Sequence, residues 1–288
     1  MNKSLLKWAG GKSRIAEDIK RLLPSDKTRL VEPFAGSCSF SLNCDFKQYL
    51  IADINKDLIG LYLELKKREE KFIDLCKSFF DHKDADTLEH YKTLRDIFNL
   101  IKKNNATPDT KAALFVYLNR HCFNGLCRYN SKGEFNVPFG KYENPYFPRK
   151  EMLEFIKFSK KSVFVCQKFE DTFEELRADD CVYADPPYVP ISDTANFTAY
   201  SSDGFSEEDH RKLAKLSKEA PCPVIISNHD VPLTREIYSE ADDMKTIDVS
   251  RHISSDGSKR KSVKEVLILY NYKGVKSKEE EDLEALFG

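Results

Sequence analysis

The stretch DCVYADPPYVP, residues 180–190, constrains the fold more tightly than any other part of the sequence. Cys181, Val182, Tyr183 and Ala184 form a short apolar run that ends on Asp185. Pro186 and Pro187 then fix φ and remove two backbone donors, so neither strand nor helix continues through them. The run reads as a buried strand, with Asp185 at its carboxyl end on a rigid extended turn and Tyr188 just beyond. That end of an α/β sheet is where ligands bind. A carboxylate, a carbonyl-lined turn and an aromatic face suit a flat polar ring. They also suit a plain strand-terminating turn with Tyr188 in the core, and four residues alone leave both readings open.

Other segments supply a sheet around that strand. TRLVEPF (28–34) and YLIAD (49–53) read as buried strands, as do SVFVC (162–166), PVIIS (223–227) and VKEVLILY (263–270). Helical spacing runs from Asn55 to about Phe80, with Leu58, Leu61, Leu65, Phe72 and Leu75 on one face, and again over Thr87–Lys103 and Ser206–Ala220. Thr107-Pro108-Asp109 predicts a helix start with a threonine cap, carrying on to about Cys122. Between them, FNGLCRYNSKGEFNVPFGKYENPYFP (123–148) has no sustained period and mixes Asn, Gly, Pro, cations and aromatics, a loop or β-ribbon surface for a polar, flat partner. Strand–helix alternation at both ends with a helical and irregular insert predicts an α/β sheet domain interrupted by a recognition domain. The expected boundaries are 1–55 with 145–272 for the sheet domain and 56–144 for the insert. An acidic tail, 273–288, is expected to be disordered or to dock its apolar residues.

Composition narrows the function classes. In 288 residues, 41% of them apolar, no run approaches the roughly 20 apolar residues that span a membrane. MNKSLLKWAGGK lacks the long apolar region of a secretory signal. The eight cysteines form no C-x-x-C pair, so free thiols in a reducing cytoplasm are expected and no metal site is read. A net charge of −1 argues against a uniformly basic surface, yet residues 117–150 carry six Lys/Arg against two acids and 251–264 five against one. Two basic segments on a neutral chain suit an electrostatic footprint confined to one face, or simply a solvated surface.

Two further motifs resemble ligand loops. In VEPFAGSCSF (31–40), Gly36 offers positive φ and an open backbone after a strand; Asp53 ends the next strand, where an acid accepts from a ribose diol. No G-x-G-x-x-G follows, so the pair describes a nucleoside site without a pyrophosphate; a glycine for a tight turn and an aspartate capping a helix before Ile54-Asn55 is the weaker account. LKWAGGKSR (6–14) sets Trp8 and Lys12 around two glycines, positioned to close over a ligand. GGKS fails the P-loop spacing and no strand precedes it, which makes a phosphoryl-transfer enzyme a distant alternative.

In this order and at these separations, LKWAGGK, VEPFAGSCSF, ADIN and ADPPY resemble the S-adenosylmethionine-dependent DNA adenine-N6 methyltransferases of the Dam type. The likeness runs from Leu6 to about Tyr272, through RYNSKGEFNVPFGKY (128–142), TANFTAY (194–200), ISNHD (226–230) and RHISSDGSKRK (251–261). It implies a mostly parallel seven-stranded Rossmann-like sheet with helices on both faces and a mainly helical target-recognition domain. It assigns Trp8, Lys12, Phe34, Gly36, Ser37, Asp53, Phe169 and Asp185 to S-adenosylmethionine and its product S-adenosylhomocysteine, with Phe34 and Phe169 flanking the adenine. Cys38 replaces the second glycine of the family's usual F-x-G-x-G loop, a change expected to be tolerated at a negative φ.

The same resemblance implies that Asp185 and the Pro186 carbonyl accept from the adenine amine, Pro187 keeps the turn rigid and Tyr188 stacks on the base. The methyl then passes in line from sulfonium to nitrogen, without metal or covalent intermediate. The adenine of a duplex must first be flipped out. Phe123 is the expected wedge, where relatives often carry tyrosine, and Asn124 the amide for the orphaned base. Arg128 and Lys7 are candidates for guanine, Leu126 and Pro138 for a thymine methyl. Lys141, arginine in many relatives, and Tyr142 are candidates for phosphate. The implied substrate is GATC in double-stranded DNA, bound by a cytoplasmic monomer. The alternatives are another short target or RNA, and a DNA-binding protein without activity.

Overall fold

Apolar runs bounded by polar turns form the strands, and the chain alternates them with helices. The computed structural model describes residues 2–12, 15–191, 204–248, 264–273 and 275. TANFTAY (194–200), RHISSDGSKRK (251–261) and the acidic tail from 276 onward lie outside the described residues. In chain order the elements are α1 (Ala16–Leu22), β1 (Arg29–Glu32), β2 (Gln48–Asp53), α2 (Lys56–Arg68), α3 (Glu70–Phe80), α4 (Leu88–Asn104), α5 (Pro108–His121), α6 (Arg149–Ser159), β3 (Ser162–Cys166), α7 (Phe169–Glu174), β4 (Asp180–Ala184), α8 (Glu207–Glu219), β5 (Val224–His229), α9 (Pro232–Ile237), β6 (Asp243–Asp248) and β7 (Lys264–Tyr270).

Among the described residues the strands form one seven-stranded sheet in the order β3-β2-β1-β4-β5-β7-β6. β1 to β5 run parallel, and β7 lies antiparallel between β5 and β6. Every residue of β4 is buried, as a central parallel strand covered on both faces requires. Between β1 and β4 the winding direction reverses. Arg29 of β1 pairs with both Gln48 and Asp180, so β1, β2 and β4 end at one edge, where a crevice opens.

The elements depart from expectation in three places. The helical region after Asn55 is two helices, because Glu69 takes φ +50 between α2 and α3. Asn55 itself caps α2, its Oδ1 accepting from Asp57 and Leu58. Thr107 makes no capping bond and sits at φ +35; Pro108 at the first turn begins α5. β6 escapes an apolar pattern because DMKTID is a charged edge strand, held by pairing along one side with β7.

α5 is buried all round from Ala112 to His121. It packs against α2, α3 and α4, and α2 also packs against β2 and β3. One apolar cluster therefore runs from Leu30 and Ile51 of the sheet through Leu58 and Leu65 to Phe98, Phe115 and Phe135. Residues 123–148 form a short ribbon with bridges Cys122↔Phe139 and Tyr129↔Phe135.

At the opposite edge from the crevice, Asp180 is fully buried and takes a bidentate pair from Arg29 Nε and Nη2, both at 2.7 Å, plus the Arg177 amide at 2.8 Å. Asp180→Ala leaves the guanidinium without its partner and is expected to cost about 3 kcal/mol. Urea unfolding monitored by far-UV circular dichroism checks it; an unchanged midpoint contradicts it.

Candidate active site

Asp185 emerges from β4 into the crevice with both carboxylate oxygens engaged. Lys12 Nζ lies 2.8 Å from Oδ2, and Ser227 Oγ donates to Oδ1 at 2.8 Å. Ser227 in turn lies 3.1 Å from the Tyr183 hydroxyl. Lys12 also donates to the Gly10 carbonyl and sits 4.7 Å from the centroid of the Tyr188 ring. Tyr188 donates to Glu265 at 3.1 Å and packs edge-on against His229. Burial, with the Asp185 charge adding, pushes its phenol well above the usual range. After it, the Val189 amide bonds Asn228 Oδ1 and its carbonyl lies 2.8 Å from His229 Nδ1. The prolines remove donors and β5 supplies the bonds that hold the turn.

The β1 turn brings the next group together. Gly36 has φ +45, its amide donates to Asp53 Oδ2 at 2.9 Å and its carbonyl accepts from Tyr62 at 2.6 Å. Asp53 Oδ1 takes the Asn55 amide. Burial raises the Asp53 carboxyl despite these bonds. The group packed on Gly36 is Trp8 of the same chain: a Cβ there would stand 2.8 Å from the indole Nε1. Ser37 is buried, its carbonyl accepting from Ser4. Cys38 is also buried but has φ +55, not the negative φ expected. The turn, closed by Cys38 N to Ala35 O, requires the left-handed conformation at this position whichever residue fills it. A non-glycine residue there costs about 1–2 kcal/mol. Phe34 and Phe169 stack directly on each other with centroids 5.4 Å apart, so they leave no slot for a third ring between them. Phe205 closes on both.

A second group lies along the insert. Phe123 is half-exposed; Asn124, Arg128, Pro138 and Lys141 are exposed, and Lys7, Leu126 and Tyr142 are partly buried. Lys7 Nζ stands 4.0 Å from the Tyr142 ring centroid, and burial followed by the Arg120 charge lowers its ammonium. The Asn124 amide, at φ +54, donates to the Tyr142 hydroxyl at 3.0 Å. Pro138 offers its carbonyl to the Phe123 amide. Arg128 is pinned by Asn136 through Oδ1 at 2.9 Å and the carbonyl at 3.2 Å. Lys141 has φ +56. Because Lys7 and Trp8 are consecutive, the N-terminal segment joins this group to the first.

Residue patterns did not reveal Ser227, Tyr62 and Glu32. Glu32, two residues before Phe34, is buried and accepts from the Ser41 amide at 3.2 Å. Burial pushes its carboxyl up to about 8, with the Asp185 charge adding and Ser41 opposing. A glutamate directly before Pro33 at a strand end was the available signal.

Five parallel strands, an antiparallel strand inserted at one end and an acid at the tip of β2 define an α/β enzyme of the methyltransferase type. The family model of the D12 class N6 adenine-specific DNA methyltransferases matches residues 8–253, and the chain belongs to that family. It is 46% identical over 274 residues to the DNA adenine methylase of Escherichia coli K12, covering 93% of this chain and 95% of that protein. It is 45% identical to the DNA adenine methylase of Serratia marcescens, covering 93% and 98%. To that of Haemophilus influenzae it is 42% identical, covering 93% and 94%. The chain is thus a DNA adenine-N6 methyltransferase, and membership implies S-adenosylmethionine as donor and DNA as substrate. The site fits that donor: Asp53 keeps acceptor lone pairs beyond the bonds from the Gly36 and Asn55 amides, Phe34 and Phe169 offer an aromatic pair, and Lys12 a buried ammonium. Among the described residues no His/Cys/Asp/Glu cluster suits a metal, and no helix is long and apolar enough to cross a membrane.

Gly36→Ala is expected to displace the chain's only tryptophan, shifting its emission to longer wavelength with far-UV circular dichroism unchanged. Unaltered emission contradicts this packing. For Glu32, the folded state holds the proton up to about pH 8 and the unfolded chain only to its ordinary 4.5. Its contribution to stability is complete below 4.5 and is lost as pH rises through 8. Comparing urea midpoints across that window, Glu32→Gln should fall less steeply with pH than the wild type; identical slopes contradict it.

Proposed function

We propose that this protein methylates adenine N6 within GATC of double-stranded DNA, on a base flipped out of the helix, by direct in-line transfer. The observation that carries the reading is the fixed carboxylate of Asp185 on a turn ended by two prolines, with an ammonium and a serine hydroxyl on its two oxygens. The lone pair of an adenine amine is delocalised into its ring, which makes it a poor nucleophile. Asp185 and the Pro186 carbonyl accept its two N–H groups and draw the nitrogen toward tetrahedral geometry. Lys12 and Ser227 set the direction in which the carboxylate does so. Tyr188 supports the face of the base, and Trp8, Lys12, Phe34, Gly36, Ser37, Asp53 and Phe169 hold the donor. With the Phe34 and Phe169 rings in contact, the cofactor adenine lies along their shared edge or parts them. Bound S-adenosylmethionine supplies an electrophilic sulfonium methyl. After transfer the nitrogen is strongly acidic and loses its proton without a dedicated base. Orientation of the two reactants supplies most of the acceleration.

A paired adenine hides its N6, so the base must leave the stack at a cost of about a few kcal/mol. Phe123, exposed on its turn, fills the gap and Asn124 meets the orphaned partner. Arg128, held flat by Asn136, reads a guanine edge and Lys7 a second one. Leu126 and Pro138 contact the thymine methyl, and Lys141 and Tyr142 take phosphate. All of these but Lys7, which lies on the N-terminal strap, belong to the 56–144 insert, which we take as the recognition domain. The sheet domain is taken as 1–55 with 145–272, the protein acting as a cytoplasmic monomer on DNA.

The test is single-turnover methylation of duplexes that differ from GATC by one pair, alongside single strands and RNA. Each changed pair is expected to lower the rate about 10- to 100-fold. Equal rates on GATC and its variants contradict the assigned site. Asp185→Ala is expected to lose at least about 100-fold in rate while still binding duplex; unchanged activity contradicts the assigned chemistry.

A further inference from the structure

We infer that Asn119 is a positioning residue that keys the separate DNA-contacting segments into one surface and so sets sequence discrimination. The inference rests on the reading that Lys7, Phe123, Asn124 and Tyr142 face DNA. Asn119 lies near the end of α5, only 1% exposed, and spends its whole amide on two other segments. Oδ1 accepts from the Lys7 amide at 2.8 Å, and Nδ2 donates to the Lys7 carbonyl at 2.8 Å and to the Gly125 carbonyl at 3.0 Å. One side chain thus pairs both backbone groups of Lys7, as a strand would, and the turn that carries Phe123 and Asn124.

The surfaces it joins are in contact. Gly125 has φ +64, and a Cβ there would stand 2.2 Å from Lys7 Cβ, so no side chain fits between turn and strap. Beyond, Lys7 Nζ meets the Tyr142 ring and the Tyr142 hydroxyl accepts from Asn124. The ring of contacts Asn119–Lys7–Tyr142–Asn124–Gly125 closes on itself, anchored below by Arg120 donating to the Leu5 carbonyl at 3.1 Å. Side chains that read base edges discriminate only when their backbones are held to within about 0.5 Å. Without Asn119, the buried Gly125 carbonyl and the partly buried carbonyl and amide of Lys7 lose these bonds, and Lys7 is free to shift against the Phe123 turn. Contacts elsewhere on the insert still hold the duplex. The effect therefore falls on the choice between sites more than on methylation itself.

The experiment compares single-turnover kcat/KM on the preferred duplex and on duplexes changed at one pair. The variants are Asn119→Asp, which sets a carboxylate against two carbonyls, and Gly125→Ala, which leaves Asn119 intact and pushes Lys7 away. Both should lower the preference for the cognate duplex about tenfold or more, with S-adenosylmethionine affinity by calorimetry unchanged. If Asn119→Asp does not fold, Gly125→Ala decides alone. An equal loss on every duplex, or an unchanged ratio, overturns the inference. Lys7→Ala and Phe123→Ala separate the two levels. If they weaken DNA binding or discrimination while the Asn119 and Gly125 variants keep the wild-type ratio, only the role of Asn119 falls. If they change neither, the DNA-facing reading falls and the inference with it.

Discussion

Asp185 is held from two directions by parts of the chain far apart in sequence. Lys12 reaches it from the N-terminal strap and Ser227 from β5, both at 2.8 Å, while Pro186 and Pro187 prevent β4 from carrying the backbone further. Partly buried ion pairs yield little net stability, because desolvating the charges offsets their attraction. What this one fixes is geometry. The carboxylate cannot turn away without giving up an ion pair and a hydrogen bond, and the strap that carries Lys12 also lays Trp8 on Gly36. The turn after β1, the acid and the strap therefore hold together: disturb the strap and the turn loses its cover while Asp185 loses a partner.

The same strap reaches the insert through Lys7, and a buried carboxylate ties the insert to the sheet. Asp57, on the first turn of α2, takes Lys102 of α4 at 2.7 Å, Lys111 of α5 at 3.1 Å and the Tyr129 hydroxyl of the ribbon at 2.8 Å. Those partners hold its carboxyl below the usual range against the opposing effect of burial. Asn55, which caps that turn, donates its backbone amide to Asp53. A short run of bonds thus leads from the acid at the tip of β2 to the residue beside Arg128. The ribbon is oriented from the sheet and does not hang from it as a loose appendage.

Much of this was legible in residue order. Strand runs such as SVFVC and DCVYA, the prolines after Asp185 and the glycine after β1 each state a local rule that the fold obeys, and together they suffice for the sheet and its ligand edge. What stayed hidden depends on partners distant in sequence or on backbone angles that side chains do not announce. Cys38 takes the left-handed φ of the glycine it replaces because the turn dictates it, and Tyr62 packs beside it. Glu69 breaks an apolar period that reads as continuous. Thr107 looks like a cap but makes no such bond. Ser227 and Asn119 are ordinary residues in sequence, and their importance lies in what the fold brings to them: a carboxylate in one case, two carbonyls and an amide in the other.

The most direct measurement is a crystal structure with a GATC duplex and an unreactive donor analogue. The account predicts one adenine outside the helix, its N6 within about 2.6–3.2 Å of both an Asp185 oxygen and the Pro186 carbonyl, and Phe123 in the vacated space. A target adenine still stacked in the duplex, or an extruded base whose amine faces away from Asp185, would contradict it.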